Sequence, residues 1–121
     1  MSTQAQEAFI KSIKDMEPEL VDIGFSLHSL DKKGFATYIQ YKSKENIQAL
    51  FMFGPSDWHV ELSLTKNERK YELKDLFQIP LIVQWQKENS FRHDSNDRIK
   101  EEVTWFVSLL KFIIRTHLLT N

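Results

Sequence analysis

The middle of the chain, IQALFMFGPSDWHVELSLT, shows the alternation of side chains that is typical of half-buried β-strands. Every second residue from Ile47 to Phe53 and from Trp58 to Leu64 is apolar, and the residues between them are mostly polar in the second half. The intervening Gly54-Pro55-Ser56-Asp57 is rich in turn formers. With these four as the loop, Phe53 faces Trp58 and Ile47 faces Leu64. The pattern predicts a hairpin with one apolar face.

Further strands are predicted on both sides of this hairpin. Residues 25–31 and 35–42 flank Lys32-Lys33-Gly34, which suits a three-residue hairpin loop with glycine in the left-handed conformation. The segment 66–69 suits the last turn. Counted outward from the turns, the opposed pairs are Leu27–Ile39, Ile39–Ala49, Leu64–Tyr71 and Leu62–Leu73. These registers all place the apolar residues on one face, which predicts a five-stranded antiparallel meander.

Helices are predicted at both ends of the chain. Residues 3–23, capped by Ser2 or Thr3, carry one apolar stripe, bend at Glu17-Pro18 and end at Gly24. Residues 73–78 are interpreted as a strand end and a short turn, 80–89 as a helix that begins at Pro80, and 88–97 as a loop. The last helix begins at Asp97 or Ser95 and runs to about Leu119, with the stripe Ile99, Val103, Phe106, Leu110, Ile113 and His117. We therefore predict one α+β domain over residues 1–121: an N-terminal helix, the meander, and two C-terminal helices packed on one face of the sheet.

Composition narrows the classes of function. A net charge of −1 gives no general attraction to nucleic acid or to acidic membranes. The absence of cysteine excludes disulfides, thiol nucleophiles and cysteine-based zinc sites. The apolar run 103–119 is interrupted by Lys111 and Arg115, which favours a buried helix over a membrane span. The N-terminus lacks the layout of a signal peptide, so we expect a cytoplasmic protein.

Motifs for catalysis are weak. Three glycines do not predict a phosphate-binding loop. His59 and Glu61 lie two residues apart on one strand face, but a metal site needs more ligands than two. Ser56-Asp57, His93-Asp94 and His117 are interpreted as turn, loop and helix-boundary residues. We expect no catalytic residues, no metal and no cofactor.

The outward face of the predicted sheet is the first candidate binding surface. The predicted registers align His28, Tyr38, Leu50 and Glu61 in one row, with Met52 and His59 adjacent to each other. A group of aromatic, methionine and polar side chains is typical of binding patches. The alternative is an ordinary sheet exterior, or a face covered by the N-terminal helix.

Two other surfaces are candidates. The apolar stripe of the last helix is wider than the sheet requires, so Trp105, Leu109 and Phe112 are either covered by residues 80–89 or form an interface with a second copy or a partner. The turns at one end of the meander form a mildly basic rim that suits an acidic partner or simple solvation; its residues are Lys42, Lys44, Lys66, Arg69 and Lys70. Few aromatic residues accompany this rim, which argues against nucleic acid.

The whole chain has the layout of a leading helix ending in LVDIGF, the meander with FMFGPSDWHVELSL, then LKDLFQIPLIVQW and a terminal helix. This layout resembles that of small bacterial proteins, either uncharacterised or of the immunity type. The resemblance implies a non-enzymatic protein that neutralises a toxin by binding it. Three hypotheses follow: a cytoplasmic module that binds a toxin or its own copy; a small-molecule binding or sensing domain that uses the outward sheet face; and an enzyme built on histidine and carboxylate pairs.

Overall fold

A computed structural model describes residues 4–54, 59–90 and 98–119. Two N-terminal helices precede five strands, and three helices follow them. The elements are α1 (Gln4–Asp15), α2 (Glu17–Asp22), β1 (Phe25–Lys33), β2 (Ala36–Ser43), β3 (Ile47–Phe53), β4 (Val60–Lys66), β5 (Arg69–Tyr71), α3 (Leu73–Leu76), α4 (Pro80–Glu88) and α5 (Arg98–Arg115). The five strands form one antiparallel sheet in chain order. The predicted α+β class and the meander are confirmed.

The register of the central hairpin differs from the prediction by two residues. Phe53 lies opposite Val60, and Ile47 lies opposite Lys66. The predicted four-residue loop is too short, because β4 begins only at Val60; Trp58 and most of the predicted loop lie outside the described residues. A shift by two positions leaves each side chain on its predicted face, since successive residues of a strand alternate.

The neighbouring turns also differ in length. Ile39 lies opposite Phe51 rather than Ala49. Between β1 and β2 the pairing closes at Lys33–Ala36 after a shorter turn than predicted, so Ile39 lies opposite Leu30, three residues beyond its predicted partner Leu27. A β-bulge between Leu27 and Ser29 then changes the register by one residue.

Of the two residue pairs predicted between β4 and the last strand, one is confirmed and one is wrong. Leu64 lies opposite Tyr71, as predicted. Asn67 and Glu68 form the turn, both with positive φ (50° and 69°), which is typical of a tight type I′ hairpin turn. Leu73 is not a strand residue opposite Leu62; it begins α3, because Glu72 and Asp75 form a reciprocal capping box at that point.

The helices cover one face of the sheet. The break before Pro18 and the helix beginning at Pro80 are confirmed, and Gly24 has a φ of 92° after α2. Phe9 of α1 stacks on Phe53 of β3 at 5.3 Å between ring centroids. The predicted stripe of α5 is buried except at its ends, and His117 is an exposed residue with a φ of 53° after the helix. The predicted capping residues Ser2 and Thr3 lie outside the described residues. Within the part of the chain that is described, no helix meets the length and apolarity needed to cross a bilayer.

Candidate functional site

The face of the sheet opposite the helices is open. Apolar residues on the helix side of β2, β3 and β4 are at most 3% exposed. The outward residues of β2 and β3 are all half-buried rather than buried; they include Tyr38, Gln40, Gln48, Leu50 and Met52. This difference shows that the described helices pack on one side only and leave the outward side accessible.

The predicted row of binding residues is only partly present. Tyr38 lies opposite Met52, and Met52 lies opposite Glu61, so these three residues form one row across the sheet. Leu50 belongs to the next row, between Gln40 and Ser63, because the registers differ from the prediction by two residues. His28 lies at the bulge of β1 and is exposed, so it does not join this row.

The centre of the outward face is apolar and its surroundings are polar. Leu50 and Met52 are neighbours of Gln40, whose Nε2 donates a hydrogen bond to Gln48 Oε1 at 2.7 Å. The Tyr38 ring lies below Lys33, with Nζ 5.7 Å from the ring centroid, which is within the range of cation–π attraction. Charged residues of both signs occupy outward positions around this centre, among them Asp31, Lys42, Glu61 and Lys70.

A cleft adjoins the outward face where β5 ends. Because β5 pairs only with residues 64–66 of β4, the edge of β4 near Glu61 has no strand beside it among the described residues. The chain turns there into α3 and leaves a cavity of about 380 Å³. Three apolar and five polar or charged side chains line it: Met52, Leu62 and Leu73, and Glu61, Ser63, Lys70, Glu72 and Lys74. Lys70 Nζ and Glu72 Oε1 are 3.6 Å apart, so part of this charge is paired within the chain.

His59 does not lie beside Met52, which corrects the prediction. It precedes β4, and its Nδ1 is 3.0 Å from Glu102 Oε1 on α5. Glu102 is only 7% exposed, and the same oxygen accepts a hydrogen bond from the Val60 N–H at 3.4 Å. Arg98 Nε is 3.5 Å from its other oxygen. These contacts tie the start of β4 to α5, which is a structural role on the helix side of the sheet.

Sequence reasoning missed Glu102. A signal was present, because residue 102 is adjacent to Val103 and lies three residues after Ile99 and four before Phe106, within the arc of an apolar stripe. A carboxylate at such a position needs partners when it is buried. Among the described residues, no group of three or more histidine, aspartate or glutamate side chains is arranged to hold a metal ion.

The aromatic residues of α5 are covered from within the chain. Trp85 of α4 packs against Trp105 and Phe112, with centroid distances of 5.3 and 5.9 Å. The Trp105 indole N–H donates to the Asn89 carbonyl at 2.6 Å. Leu109 is completely buried, so it lies in the core and not on an interface. Residues 80–89 therefore cover this stripe, as one of the two alternatives predicts; Trp105 and Phe112 stay half-buried, and the interface with a second copy or a partner stays a prediction.

Two other electrostatic features are structural. Tyr41 is buried on the helix side and donates to Glu17 Oε1 at 3.0 Å; burial first, and then this carboxylate, raise the pKa of the Tyr41 hydroxyl. Lys111 Nζ lies 2.6 Å from Glu19 Oε2, and this hydrogen bond lowers the pKa of Glu19. Both contacts join α2 to other elements, which fixes the helix layer relative to the sheet.

The predicted basic rim is partly used inside the chain. Lys66 Nζ donates to the Leu119 carbonyl at 2.7 Å. The Arg69 guanidinium lies 4.9 Å from the centroid of the Tyr71 ring. These contacts reduce the positive charge that this rim offers to an acidic partner.

Comparison with known proteins adds no relative. No family model, no curated protein and no solved structure matches the chain. The functional argument therefore starts from the geometry of the open face and of its neighbouring cleft.

Proposed function

We propose that the protein is a non-enzymatic binding module that recognises another folded protein through the open face of its sheet. The observation that carries the proposal is the arrangement of that face. Tyr38, Leu50 and Met52 form a half-buried centre on two adjoining rows of the sheet, and charged residues of both signs surround it. An apolar centre with a polar rim, enriched in tyrosine and methionine, is the usual anatomy of a protein–protein interface.

The open face lies on β2 and β3, each of which is paired with a neighbouring strand on both sides, and this favours recognition through side chains. Backbone groups in the interior of a sheet are already paired with neighbouring strands, so a partner must bind the outward side chains. Tyrosine offers a large contact area at a small cost in conformational entropy, and methionine adapts its shape to the partner. Gln40 and Gln48 supply amide donors and acceptors beside this centre.

The resemblance to immunity-type proteins supports one kind of partner. Such a protein acts in the cytoplasm by covering the surface of a toxin. In this proposal the toxin contacts the centre around Met52, and the charges of Asp31, Glu61 and Lys70 select it by complementarity. No chemistry on a substrate is required for this function.

Site-specific photo-crosslinking in cells tests the proposal. A photoreactive residue at Met52 is expected to capture a defined protein, whereas the same residue at Leu81, which is 50% exposed on α4, serves as the control. Purified partner should then bind the double variant Tyr38→Ala/Met52→Ala at least about tenfold more weakly, since each anchor contributes about 1 kcal/mol or more. Equal binding by this variant and by the parent protein would contradict the proposal.

A second candidate function is supported by the cleft beside β4. Its volume of about 380 Å³ lies within the usual range for small-molecule pockets. It presents carboxylates and ammonium groups together, and Ser63 in its wall is 4% exposed. A zwitterionic small molecule is the matching ligand class. A thermal-shift screen with free amino acids tests this function; a shift that persists in Glu61→Gln and Lys74→Gln would exclude the cleft.

A further inference from the structure

The outward side chains of the sheet form rows that cross the strands, and the charge differs from row to row. The acidic row consists of Asp31, Tyr38, Met52 and Glu61. The neutral row consists of Ser29, Gln40, Leu50 and Ser63. The basic row crosses all five strands and consists of Ser26, Lys42, Gln48, Thr65 and Lys70. The neutral row lies between the other two, so the open face is negative on one side of its centre and positive on the other.

The charges of the two outer rows are available to a molecule that lies on the face. Asp31, Lys42 and Glu61 make no ion pair with any other residue that the structure describes. Lys70 is 3.6 Å from Glu72, but both side chains are at least half exposed. An exposed pair of this kind contributes little to stability, so Lys70 can also attract a carboxylate of another molecule.

We propose that the open face binds a second copy of the same chain, face to face, about a two-fold axis that runs along the neutral row. The proposal rests on the proposed function, because it uses the same face, and it names the chain's own copy as an occupant that competes with any other partner. Rotation about this axis lays the acidic row of each copy over the basic row of the other. An interface between identical copies has to be self-complementary in this way.

The neutral row is suited to contact with itself. Its residues lie on the axis, so each of them faces its own counterpart. Leu50 meets Leu50 at the centre, and the amide of Gln40, like the hydroxyl groups of the row, can both donate and accept a hydrogen bond. Glu72, just past the end of β5, has Lys70 at 3.6 Å and Lys74 at 4.0 Å, so its charge is balanced within its own copy. The axis therefore carries no charge that would meet its like.

Opposite charges meet on both sides of the axis. The rotation keeps each strand over its own counterpart, so Asp31 lies one strand away from Lys42 of the other copy, and Glu61 lies one strand away from Lys70. This offset is about 4.8 Å, which a lysine side chain can span. The Tyr38 ring lies over Lys42 of the other copy, in an arrangement that suits cation–π attraction. Because of the symmetry, each of these contacts occurs twice.

The charges also select this axis over a two-fold axis along the strands. The latter would lay the acidic row over the acidic row and the basic row over the basic row, so like charges would approach each other. Lys33 does not change this comparison, because it lies in a further row beyond the acidic one, at the end of β1.

The size of the face sets the expected affinity. Five strands about 4.8 Å apart and three rows about 7 Å apart cover roughly 500 Å² on each copy. Twice this area, about 1,000 Å², lies at the low end of the range for specific association. We therefore expect a dimer that is in equilibrium with the monomer and that leaves the face accessible to a tighter partner.

Sedimentation velocity over about 1 µM to 1 mM protein tests the proposal at this weak affinity. The parent chain should approach twice the mass of one chain as the concentration rises. Lys42→Glu/Lys70→Glu makes both outer rows acidic, and Asp31→Lys/Glu61→Lys makes both basic. Each variant alone should dissociate at least about 30-fold more readily than the parent, because like charges then meet in both rows. An equimolar mixture of the two variants should form a heterodimer with a dissociation constant within about tenfold of that of the parent dimer.

Lys11→Glu/Lys14→Glu is the matched control, since it changes the net charge as much as Lys42→Glu/Lys70→Glu does but lies on exposed positions of α1. It should dimerise like the parent, and it should bind the basic variant at least about tenfold more weakly than the acidic variant does, because general attraction between opposite net charges is not sufficient. Equal far-UV circular dichroism spectra establish that the variants are folded.

The outcomes separate this inference from the proposed function. A parent chain that stays monomeric throughout the concentration range overturns the inference, as does unchanged dimerisation in either charge-reversed variant. Failure of the mixed variants to associate overturns the proposed axis. A monomeric parent whose photoreactive residue at Met52 captures a different protein refutes the inference alone. A face-to-face dimer with no other protein captured at Met52 supports the inference and refutes the recognition of a different partner.

Discussion

Phe51 and Met52 are neighbours on β3 that face opposite sides of the sheet, so replacing each by alanine measures the two faces separately. Phe51 is fully buried and packs edge-on against Tyr41 at 6.3 Å between centroids. Truncation of such a residue leaves a cavity and should lower the free energy of unfolding by about 3–5 kcal/mol. Met52 is half-buried on the open face, so Met52→Ala should cost only about 1 kcal/mol, roughly half of the lower bound for a buried methionine.

Urea denaturation followed by circular dichroism distinguishes these outcomes. With a slope of about 2 kcal/mol per molar urea, the midpoint should fall by about 2 M for Phe51→Ala and by about 0.5 M for Met52→Ala. The slopes of the two variants should match that of the parent, which ensures that only stability has changed. A loss of about 3 kcal/mol or more for Met52→Ala would refute the open face, because such a cost requires dense packing on the outward side.

Three further predictions concern stability. Glu102→Ala should lower the free energy of unfolding by about 2–3 kcal/mol in urea titrations, because the buried Val60 N–H loses its charged acceptor; Glu102→Gln should cost less. Glu68→Gly should raise the thermal midpoint by a few degrees, since it relieves the left-handed conformation (φ 69°) of a residue with a side chain. Lys111 lowers the pKa of Glu19, so the ionised carboxylate stabilises the fold at pH values above the ordinary pKa of 4.5, and this stabilisation is lost as the pH falls. The free energy of unfolding of Glu19→Gln, measured in urea titrations at decreasing pH, should therefore fall less than that of the parent protein.

The faces of β2, β3 and β4 were predictable, whereas the registers at three of the four turns were not. Turn residues such as Gly54-Pro55 indicate where a strand ends only within a few positions. An error of two residues, as at the pairs Ile39–Phe51 and Phe53–Val60, changes the partners but keeps the faces. This robustness explains why the buried apolar residues of β2, β3 and β4 were assigned correctly from alternation alone.

The bulge of β1 and the helix α3 had weaker signals. A bulge inserts one residue into a pattern that otherwise alternates, and in the segment FSLHSLDKK it appears only as the three-residue spacing between Leu27 and Leu30. The short helix depends on a capping box between Glu72 and Asp75, which a strand interpretation of Leu73 overlooks. Both features are local, and both decide which surfaces remain exposed at the edges of the sheet.

The candidate site was predicted in its composition but not in its arrangement. Tyr38, Met52 and Glu61 share a row, whereas Leu50 belongs to the next row. His59 was misplaced because it lies outside β4, where strand alternation does not apply, and its ring contacts Glu102, 43 residues away in the chain. A contact over such a separation depends on how α5 packs, and local patterns do not contain that information.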